Sequence, residues 1–449
     1  MKKFLQRCCL FISGLVLFSS VYASDLWSVY QQALASDPTI MQADATRKAN
    51  REALPQSAAT LLPSLNGTAD TQSSHFSQPQ FIATNSGTGR NTSSTLNSHG
   101  YGLTLTQPLF NFQNWMQVRA ASAISKQADA TYNAALQDLI IRTATAYFNV
   151  LQAQDTLLYT NAQKTAVGDQ LKQIRARFQV GSATMTDVYQ AQANFDSLNS
   201  QSITAQNNVA NSFEALKQIT NRNYTSLDTL KGPFPLISPQ PNSGQAWITS
   251  AEYHNWSLLA DHYAAMSAKE NIRVNYAGHF PTINAVGSYE RGNNNELGFG
   301  TSGAQWKSSA GLQMNVPIFQ GGLVVSKTHQ AQDQYLAAID QMESTHRKVI
   351  LQTQESFNNV ISGISKIKAD RATVISAQSA LDSTNAGYKA GTKTLLDVLT
   401  SVQNLYQAKA VLSSDQYAYI INTMTLKQAA GSLNSQDILA INRWLNHVT

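Results

Sequence analysis

The sequence predicts an α+β membrane protein in which one architectural unit occurs twice in tandem. Short alternating segments are followed by very long helical patterns, and this order of elements appears in both halves of the chain. "ALKQIT" at Leu216 returns as "TLKQAA" at Leu426, 210 residues later, and Gly181 and Gly391 have the same separation. A unit of this length is too large for a solenoid repeat. We therefore expect an internally pseudo-symmetric structure.

The first 23 residues, MKKFLQRCCLFISGLVLFSSVYA, have the pattern of a secretory signal peptide. We expect the mature protein to begin at Ser24, because Val21-Tyr22-Ala23 fits the small-residue rule for cleavage. The net charge falls from +5 to +2 with the loss of the segment's three cations, and a nucleic-acid partner is therefore not expected. Cys8 and Cys9 leave too, so the mature chain has no cysteine for a disulfide, a metal or catalysis.

Composition points to the envelope of a bacterium. Charged residues make up 13% of the chain, about half of the ~25% that is usual in soluble domains. No apolar run of about 18 residues follows the signal peptide, so we expect no membrane-spanning helix.

Each unit begins with a helix and continues with two strands. The helices are predicted over about 38–59 and 255–277, and Pro63 and Pro281 end them. A two-residue alternation of apolar and polar side chains then predicts strands with one apolar and one polar face, at about 63–75, 99–110, 281–290 and 306–319. The Gly-, Ser- and Asn-rich stretches between the strands, about 76–97 and 291–304, are interpreted as exposed loops.

The periodicity changes after Pro108 and Pro317, which mark the change from strand to helix. Long helices are predicted over about 112–178 and 321–388, each on the order of 100 Å long. Gly181 and Gly391 then act as C-terminal stops, and returning helices are predicted over about 184–221 and 394–430. Helices of this length must pack against other long helices as a coiled bundle or wall.

Four strands cannot close a barrel, since about eight is the smallest usual number. An open sheet edge is not tolerated in a bilayer. The strands of several copies must therefore be pooled, and the sequence alone predicts an oligomeric pore without fixing the number of copies.

Four stretches carry a family resemblance over nearly the whole mature chain: "TATAYFNVLQAQD" (143–155), "RFQVGSATMTDV" (177–188), "VPIFQGG" (316–322) and "SLNSQDILAIN" (432–442). With the duplicated halves, they resemble the TolC family of outer-membrane efflux and type I secretion channels. The resemblance implies a homotrimer in the outer membrane of a Gram-negative bacterium. Three chains would form a twelve-stranded β-barrel, four strands per chain, continuous with a long periplasmic α-helical barrel.

The resemblance also implies a division of the chain and a set of partners. We expect a signal peptide (1–23), a first repeat (24–221), an equatorial linker (222–254), a second repeat (255–433) and a C-terminal equatorial segment (434–449). The expected partners are two further copies of the chain, a periplasmic adaptor (membrane fusion) protein, an inner-membrane transporter and outer-membrane lipid. Transport would be passive. The sequence does not decide whether the substrates are drugs, small toxic compounds or secreted proteins.

Two aspartates at the hairpin turns have two interpretations. Thr184-Met-Thr-Asp187 and Thr394-Leu-Leu-Asp397 fit a helix N-terminal capping pattern, which is the first interpretation from the residues alone. The resemblance implies that Asp397 also faces the pore, where threefold symmetry makes one carboxylate a ring of three. A second family aspartate is replaced here by Thr400, so a single acidic ring and weaker cation selectivity are predicted.

The resemblance further implies a latch that holds the periplasmic end closed. Tyr388 and Lys393 match positions that bond to the neighbouring hairpin around Thr186 and Asp187. Lys393 replaces an arginine and loses its bidentate fork; an exposed turn cation is the alternative interpretation of this lysine. The expected adaptor contacts are the turn residues Gly181, Ser182, Gly391 and Thr392.

Neither an enzyme nor a cofactor is predicted. The eight histidines form no H-E-x-x-H or other metal pair, and no nucleophile elbow or P-loop occurs. Gly298 to Gly303 formally matches G-x-G-x-x-G but leads into a strand, so it is interpreted as an external loop. The rival to the channel is a non-conducting periplasmic adaptor built from a coiled hairpin, which would need no lipid-facing strands.

Overall fold

The structure is a computed structural model that describes residues 24–76, 80–84, 87–91, 94–232, 234–294 and 303–446. The predicted signal peptide and positions 298–302 of the glycine-rich motif lie outside these residues. The helices are α1 (Leu26–Ser36), α2 (Pro38–Arg51), α3 (Ala53–Ala59), α4 (Phe112–Gln179), α5 (Met185–Thr220), α6 (Gly244–His254), α7 (Trp256–Tyr276), α8 (Leu323–Lys389), α9 (Leu395–Ala429) and α10 (Ser435–Asn442). The strands are β1 (Ser64–Phe76), β2 (Gln80–Thr84), β3 (Gly87–Asn91), β4 (Ser94–Phe110), β5 (Thr229–Leu230), β6 (Thr282–Asn294), β7 (Gly303–Asn315) and β8 (Leu445–Asn446).

Four strands, two from each repeat, form one antiparallel sheet in the order β1-β4-β6-β7. The register places Leu103 opposite Gly67 on one side and Tyr289 on the other, so these three residues share a face. The exposed apolar residues of this face are Leu65, Tyr101, Leu103, Leu105, Tyr289, Trp306, Leu312 and Met314. The opposite face carries Asn66, Thr68, Thr104, Ser288, Glu290, Lys307 and Ser309. The predicted two-faced sheet is confirmed.

The interpretation of 76–97 as a loop was wrong. β2 and β3 pair within this stretch as a two-stranded antiparallel sheet, while β1 extends to Phe76 and β4 begins at Ser94. Gly-, Ser- and Asn-rich composition is typical of hairpin turns as well as of loops, and pairing between strands is not visible in composition.

One of the four predicted boundary prolines, Pro108, lies inside an element rather than between two. Pro63 and Pro281 directly precede β1 and β6, as expected, but Pro108 lies inside β4, where the pairing with β6 shifts between Pro108 and Phe110. A residue without an N–H is tolerated at such an irregularity. β7 ends at Asn315 rather than near Phe319, because its partner begins at Thr282 and offers no further pairing. Pro317 lies between β7 and α8, at the predicted change from strand to helix.

The long helices form two antiparallel hairpins, α4 with α5 and α8 with α9. α4 has 68 residues and α8 has 67, so each extends for about 100 Å. α7 packs against α4 and α8, and α4 also packs against α9, which joins the two hairpins side by side. None of the described helices has the length and hydropathy needed to cross a membrane.

The larger of two apolar clusters among the described residues lies around the middle of α4, where this helix meets the segments 222–254 and 434–446. Tyr147 and Phe148 of α4 are fully buried in it, and the Tyr147 hydroxyl donates to the carbonyl oxygen of Asp228 at 2.8 Å. β5 of the linker pairs with β8 near the C-terminus. The linker and the C-terminal segment therefore pack together around the middle of the helices.

Candidate functional site at the hairpin tips

The first tip is a turn of five residues, 180–184, between α4 and α5. Gly181 has a φ of +76°, a left-handed conformation that a residue with a Cβ rarely adopts. The backbone N–H of Ser182 donates to the carbonyl oxygen of Arg177 at 2.8 Å, which closes the end of α4. This bonding is typical of a helix that ends on a glycine.

The second tip repeats this turn between α8 and α9. Gly391 also has a φ of +76°. The backbone N–H of Thr392 donates to the carbonyl oxygen of Gly387 at 2.9 Å, and the Thr392 hydroxyl donates to the same oxygen at 3.1 Å. The turn residues predicted from the glycine spacing are therefore exposed at the ends of both hairpins.

Each tip begins its returning helix with a complete capping box. The Oδ2 atom of Asp397 accepts from the backbone N–H of Thr394 at 2.8 Å, and the Asp397 N–H donates to the Thr394 hydroxyl at 3.2 Å. Thr184 and Asp187 make the same pair of bonds, at 3.1 and 3.2 Å. The capping interpretation is confirmed for both aspartates. It leaves the Oδ1 atom of each carboxylate available for other contacts.

The capping bonds also set the charge of Asp397. The N–H and hydroxyl of Thr394 donate to this carboxylate, and Lys393 adds a nearby positive charge; together they hold the pKa of Asp397 below its usual value. Asp397 therefore stays ionised at neutral pH. Its depressed pKa means that the ionised cap contributes stability above the pKa of the unfolded chain and loses it as the pH falls through the folded value.

The predicted latch residues lie near the tips but do not bond to one another within one chain. Among the described residues, no hydrogen bond or ion pair joins Tyr388 or Lys393 to Thr186 or Asp187. The aliphatic stem of Lys393 instead lies close to Gly387, where an added Cβ would be 2.8 Å from Lys393 Cγ. The latch between Tyr388, Lys393 and the neighbouring hairpin thus stays a prediction.

Arg177 is a tip residue that the sequence reasoning missed. Its Cζ atom lies 4.9 Å from the centre of the Tyr388 ring, so a residue of α4 contacts a residue of α8. A comparison of the two halves could have found it: at a spacing of 210, Arg177 corresponds to Gly387, and Phe178 corresponds to Tyr388. The two turns differ in side chain at these two positions.

An apolar cluster joins the two hairpins above the tips. We name it the tip cluster, and its buried members are Val167, Leu171, Ile174, Val188, Ala191, Leu198, Leu395, Val398, Leu399 and Val402. Tyr388 is partly buried against it. Among the residues that the structure describes, no group of three or more His, Cys, Asp or Glu side chains could hold a metal ion.

An open sheet with an apolar outer face, joined to helical hairpins of about 100 Å, is the architecture of an outer-membrane channel. The family model described as "Outer membrane efflux protein" matches residues 29–222 and 247–432, which are the two repeats. The chain belongs to this family.

The chain is also similar to curated proteins and a solved structure of this kind. It is 37% identical to the outer membrane protein TolC of Vibrio cholerae, over 99% of each chain. It is 39% identical to the outer membrane protein TolC of Escherichia coli, over 96% of this chain and 87% of the relative. The fold matches the crystal structure of the Vibrio cholerae outer membrane protein VceC with a TM-score of 0.75 and 19% identity, over 91% of this chain and 96% of the other.

Family membership bears out the predicted fold and location. The chain is an outer-membrane efflux or secretion channel of the TolC type, with an internal duplication and a long periplasmic helical part. In this architecture three chains assemble, and the four-stranded sheet of each is one third of a twelve-stranded barrel.

Proposed function

We propose that three copies of this chain form a passive exit duct that receives substrates from an inner-membrane transporter through a periplasmic adaptor protein. The observation that carries this proposal is the sheet β1-β4-β6-β7, which has an apolar and a polar face and an unclosed edge at each end. In a bilayer such edges must pair, and pairing β7 of one copy with β1 of the next closes a barrel with a polar interior. The chain itself supplies no energy and no chemistry.

The periplasmic end would close where six hairpin tips meet. Asp397 lies at the second tip, and threefold symmetry would bring three of its carboxylates together. Carboxylates at short range raise one another's pKa. The bonds from Thr394 lower the pKa of Asp397. The capping box therefore favours the ionised form of each carboxylate in the acidic ring. With Thr400 one turn later in place of a second acid, we propose a single acidic ring that attracts cations.

The closed state would be held between neighbouring hairpins, and the adaptor would dock at the same tips. Tyr388 and Lys393 would bond to the neighbouring hairpin around Thr186 and Asp187. The turns supply exposed contacts for the adaptor at Gly181, Ser182, Gly391 and Thr392. Beside them lie exposed apolar side chains, among them Val180, which is 78% exposed. Cross-linkers at the turns that capture no adaptor would contradict the docking proposal.

The test is single-channel conductance of residues 24–449 in a planar bilayer, with Asp397→Asn and a matched control, Asp187→Asn. Asparagine keeps a carbonyl oxygen that can accept from the cap N–H but removes the charge. We expect a small, cation-preferring current whose preference falls in Asp397→Asn. Asp187→Asn should raise the conductance, because Asp187 belongs to the proposed latch, but should keep the cation preference.

Two results would contradict the proposal. Equal effects of the two variants on the cation preference would mean that the aspartates act as helix caps and that no ring forms at Asp397. Absence of any current from correctly folded protein would instead favour the rival function, a non-conducting periplasmic adaptor.

A further inference from the structure

We propose that Asp370 of α8 and Asp415 of α9 share one proton and thereby make the pairing of these two helices in the second hairpin sensitive to pH. We name the two side chains the acid pair. The acid pair is separate from the tip residues that the proposed function uses. Gly391 of the turn follows Asp370 by 21 residues, or about 30 Å of helix.

The contacts of the acid pair place two carboxyl groups around one lysine. The Lys366 Nζ atom donates to the Oδ1 atom of Asp415 at 2.8 Å. Asp370 lies one helical turn after Lys366 on the same face of α8, and its carboxyl group is within hydrogen-bonding distance of Asp415. Both aspartates are partly buried. One positive charge therefore faces two acids.

A shared proton gives a partner to two buried atoms that otherwise have none. In the part of the chain that the structure describes, no donor bonds to the Oδ2 atom of Asp370 or to the Oδ2 atom of Asp415, and both atoms are buried. Two ionised carboxylates have only acceptor atoms and repel each other, whereas a protonated carboxyl supplies an O–H donor. With one proton between them, the two acids attract each other, and the remaining negative charge is balanced by Lys366.

Burial and the neighbouring acid determine how the pairing depends on pH. Burial raises the pKa of Asp370 above its usual value, the hydrogen bond with Asp415 and the charge of Asp415 raise this pKa further, and the charge of Lys366 opposes the rise. Because the folded-state pKa is raised, the protonated pair contributes its full stability below the pKa of the unfolded chain. This contribution is lost as the pH rises through the folded pKa of Asp370. The pairing of α8 with α9 should therefore weaken as the pH rises.

The other charged groups near these helices are bonded elsewhere or lie farther along the chain. On α4, which packs against α9, the carboxylate of Asp155 accepts from two hydroxyl groups of α9. α6 packs beside an earlier part of α8, where Glu252 lies 3.2 Å from His346. The linker stretch 234–243 contains no charged residue. Arg371 is the next residue along α8, and consecutive residues of a helix do not share a face.

The first hairpin provides an internal control, because it lacks the acid pair. At the spacing of 210 residues, the equivalents of the lysine and the two acids are Thr156, Thr160 and Ala205. None of these three residues carries a charge. The nearby contact between α4 and α5 joins the Lys164 Nζ atom to the uncharged Oδ1 atom of Asn199 at 2.7 Å. The pH response is therefore expected at this height in the second hairpin and not in the first.

The consequence is a second hairpin whose helices pair more tightly in acid. The capping box at Asp397 has the opposite pH dependence, since the lowered pKa of Asp397 means that the cap loses stability as the pH falls. The body and the tip of one hairpin thus respond to pH in opposite directions. An effect of the acid pair on opening of the duct rests on the proposed function, because it requires the tips to separate.

The first experiment detects the shared proton itself. Infrared spectra of the full mature chain in detergent are recorded while the pH is raised from about 4 to about 8, a range in which ordinary carboxyl groups become ionised. Wild type should keep one carbonyl component of a protonated carboxyl group to a higher pH than the others. Asp370→Asn and Asp415→Asn should each lack this component. The matched control Asp382→Asn should retain it, because Asp382 is an exposed acid of the same helix that accepts from Gln378 of α8 itself.

The second experiment measures the pairing of the helices by hydrogen exchange over the same pH range, corrected for the intrinsic pH dependence of amide exchange. From the usual strength of a charge pair near the protein surface, protection of α8 and α9 around the acid pair should fall about two- to fivefold as the pH rises in wild type. Protection of α4 and α5 around Thr160 and Ala205 should stay constant. Asp370→Asn should remove the pH dependence in the second hairpin, because its amide donates to Asp415 at every pH.

Two results would overturn the acid pair. The first is an infrared component that Asp370→Asn retains, since the proton would then lie on another group. The second is a pH dependence of exchange that survives Asp370→Asn or has the same size in both hairpins. The proposed function fails on a different result, a folded wild-type chain that conducts nothing, and that result changes neither of these measurements.

Discussion

The tip of the first hairpin and the tip of the second turn on glycines with the same φ of +76°, at Gly181 and Gly391. Both begin the next helix with a threonine cap and an aspartate three residues later. At the same spacing of 210 residues, however, Arg177 corresponds to Gly387, and Ala183 corresponds to Lys393. The duplication has kept the residues that shape the backbone and has changed those whose side chains reach a neighbour.

This difference shows that two turns with the same backbone conformation can carry side chains with different contacts. The second tip combines Asp397 with Lys393, and the charge of Lys393 adds to the bonds from Thr394 in lowering the pKa of Asp397. The first tip carries a small apolar residue at the equivalent position and provides the arginine that contacts Tyr388. Variants made in matched pairs can therefore separate what the tips share from what distinguishes them.

The largest expected effect concerns the shared backbone. Gly181→Ala and Gly391→Ala each place a Cβ at a left-handed φ, which costs roughly 1–2 kcal/mol. Neither added Cβ would meet another atom within 4 Å, so backbone strain is the expected cause in both. Hydrogen exchange at the tip should accelerate about five- to thirtyfold in each variant. A large difference between the two would show that the turns are not equivalent in solution.

A smaller effect is expected from the caps, with a pH dependence at one tip. Thr184→Ala and Thr394→Ala should each cost about 1 kcal/mol of local stability at neutral pH. In Thr394→Ala the pKa of Asp397 should rise toward its usual value, because the hydroxyl that donates to its carboxylate is removed while the backbone N–H remains. The cost of this variant should shrink as the pH falls below about 4, where the unfolded carboxyl is protonated. Exchange rates of the tip across this pH range, measured against wild type, provide the check. A cost that grows on acidification would contradict the assigned direction.

The smallest expected effect concerns a position that the two tips do not share. Gly387→Ala gains helix propensity of up to about 1 kcal/mol, but its Cβ must displace the stem of Lys393. The net change in stability should be a few tenths of a kcal/mol. Its control is Gly363→Ala in the same helix, where the Cβ meets Tyr419 at an ordinary 3.8 Å; this variant should show the full gain. Thermal melting by circular dichroism compares the two, and equal gains would mean that Lys393 moves at no cost.

Much of the helical part could be predicted because its signals are local. The two long helices were expected over about 112–178 and 321–388, and they run from Phe112 to Gln179 and from Leu323 to Lys389. Such helices are predicted from a proline before the helix, a glycine after it and few prolines or glycines within it. The capping boxes followed from a threonine and an aspartate three residues apart.

What the sequence by itself determined is the duplicated order of elements, the two-faced strands and the tight turns, since each depends on residues within a few positions of one another. Tertiary structure alone decided the β2–β3 hairpin, the end of β7 and the place of Pro108 inside β4, because each depends on where a partner strand begins or shifts. It also decided the contact of Arg177 with Tyr388, which are more than two hundred residues apart. No periodicity encodes that distance; the side-by-side packing of the two hairpins creates it.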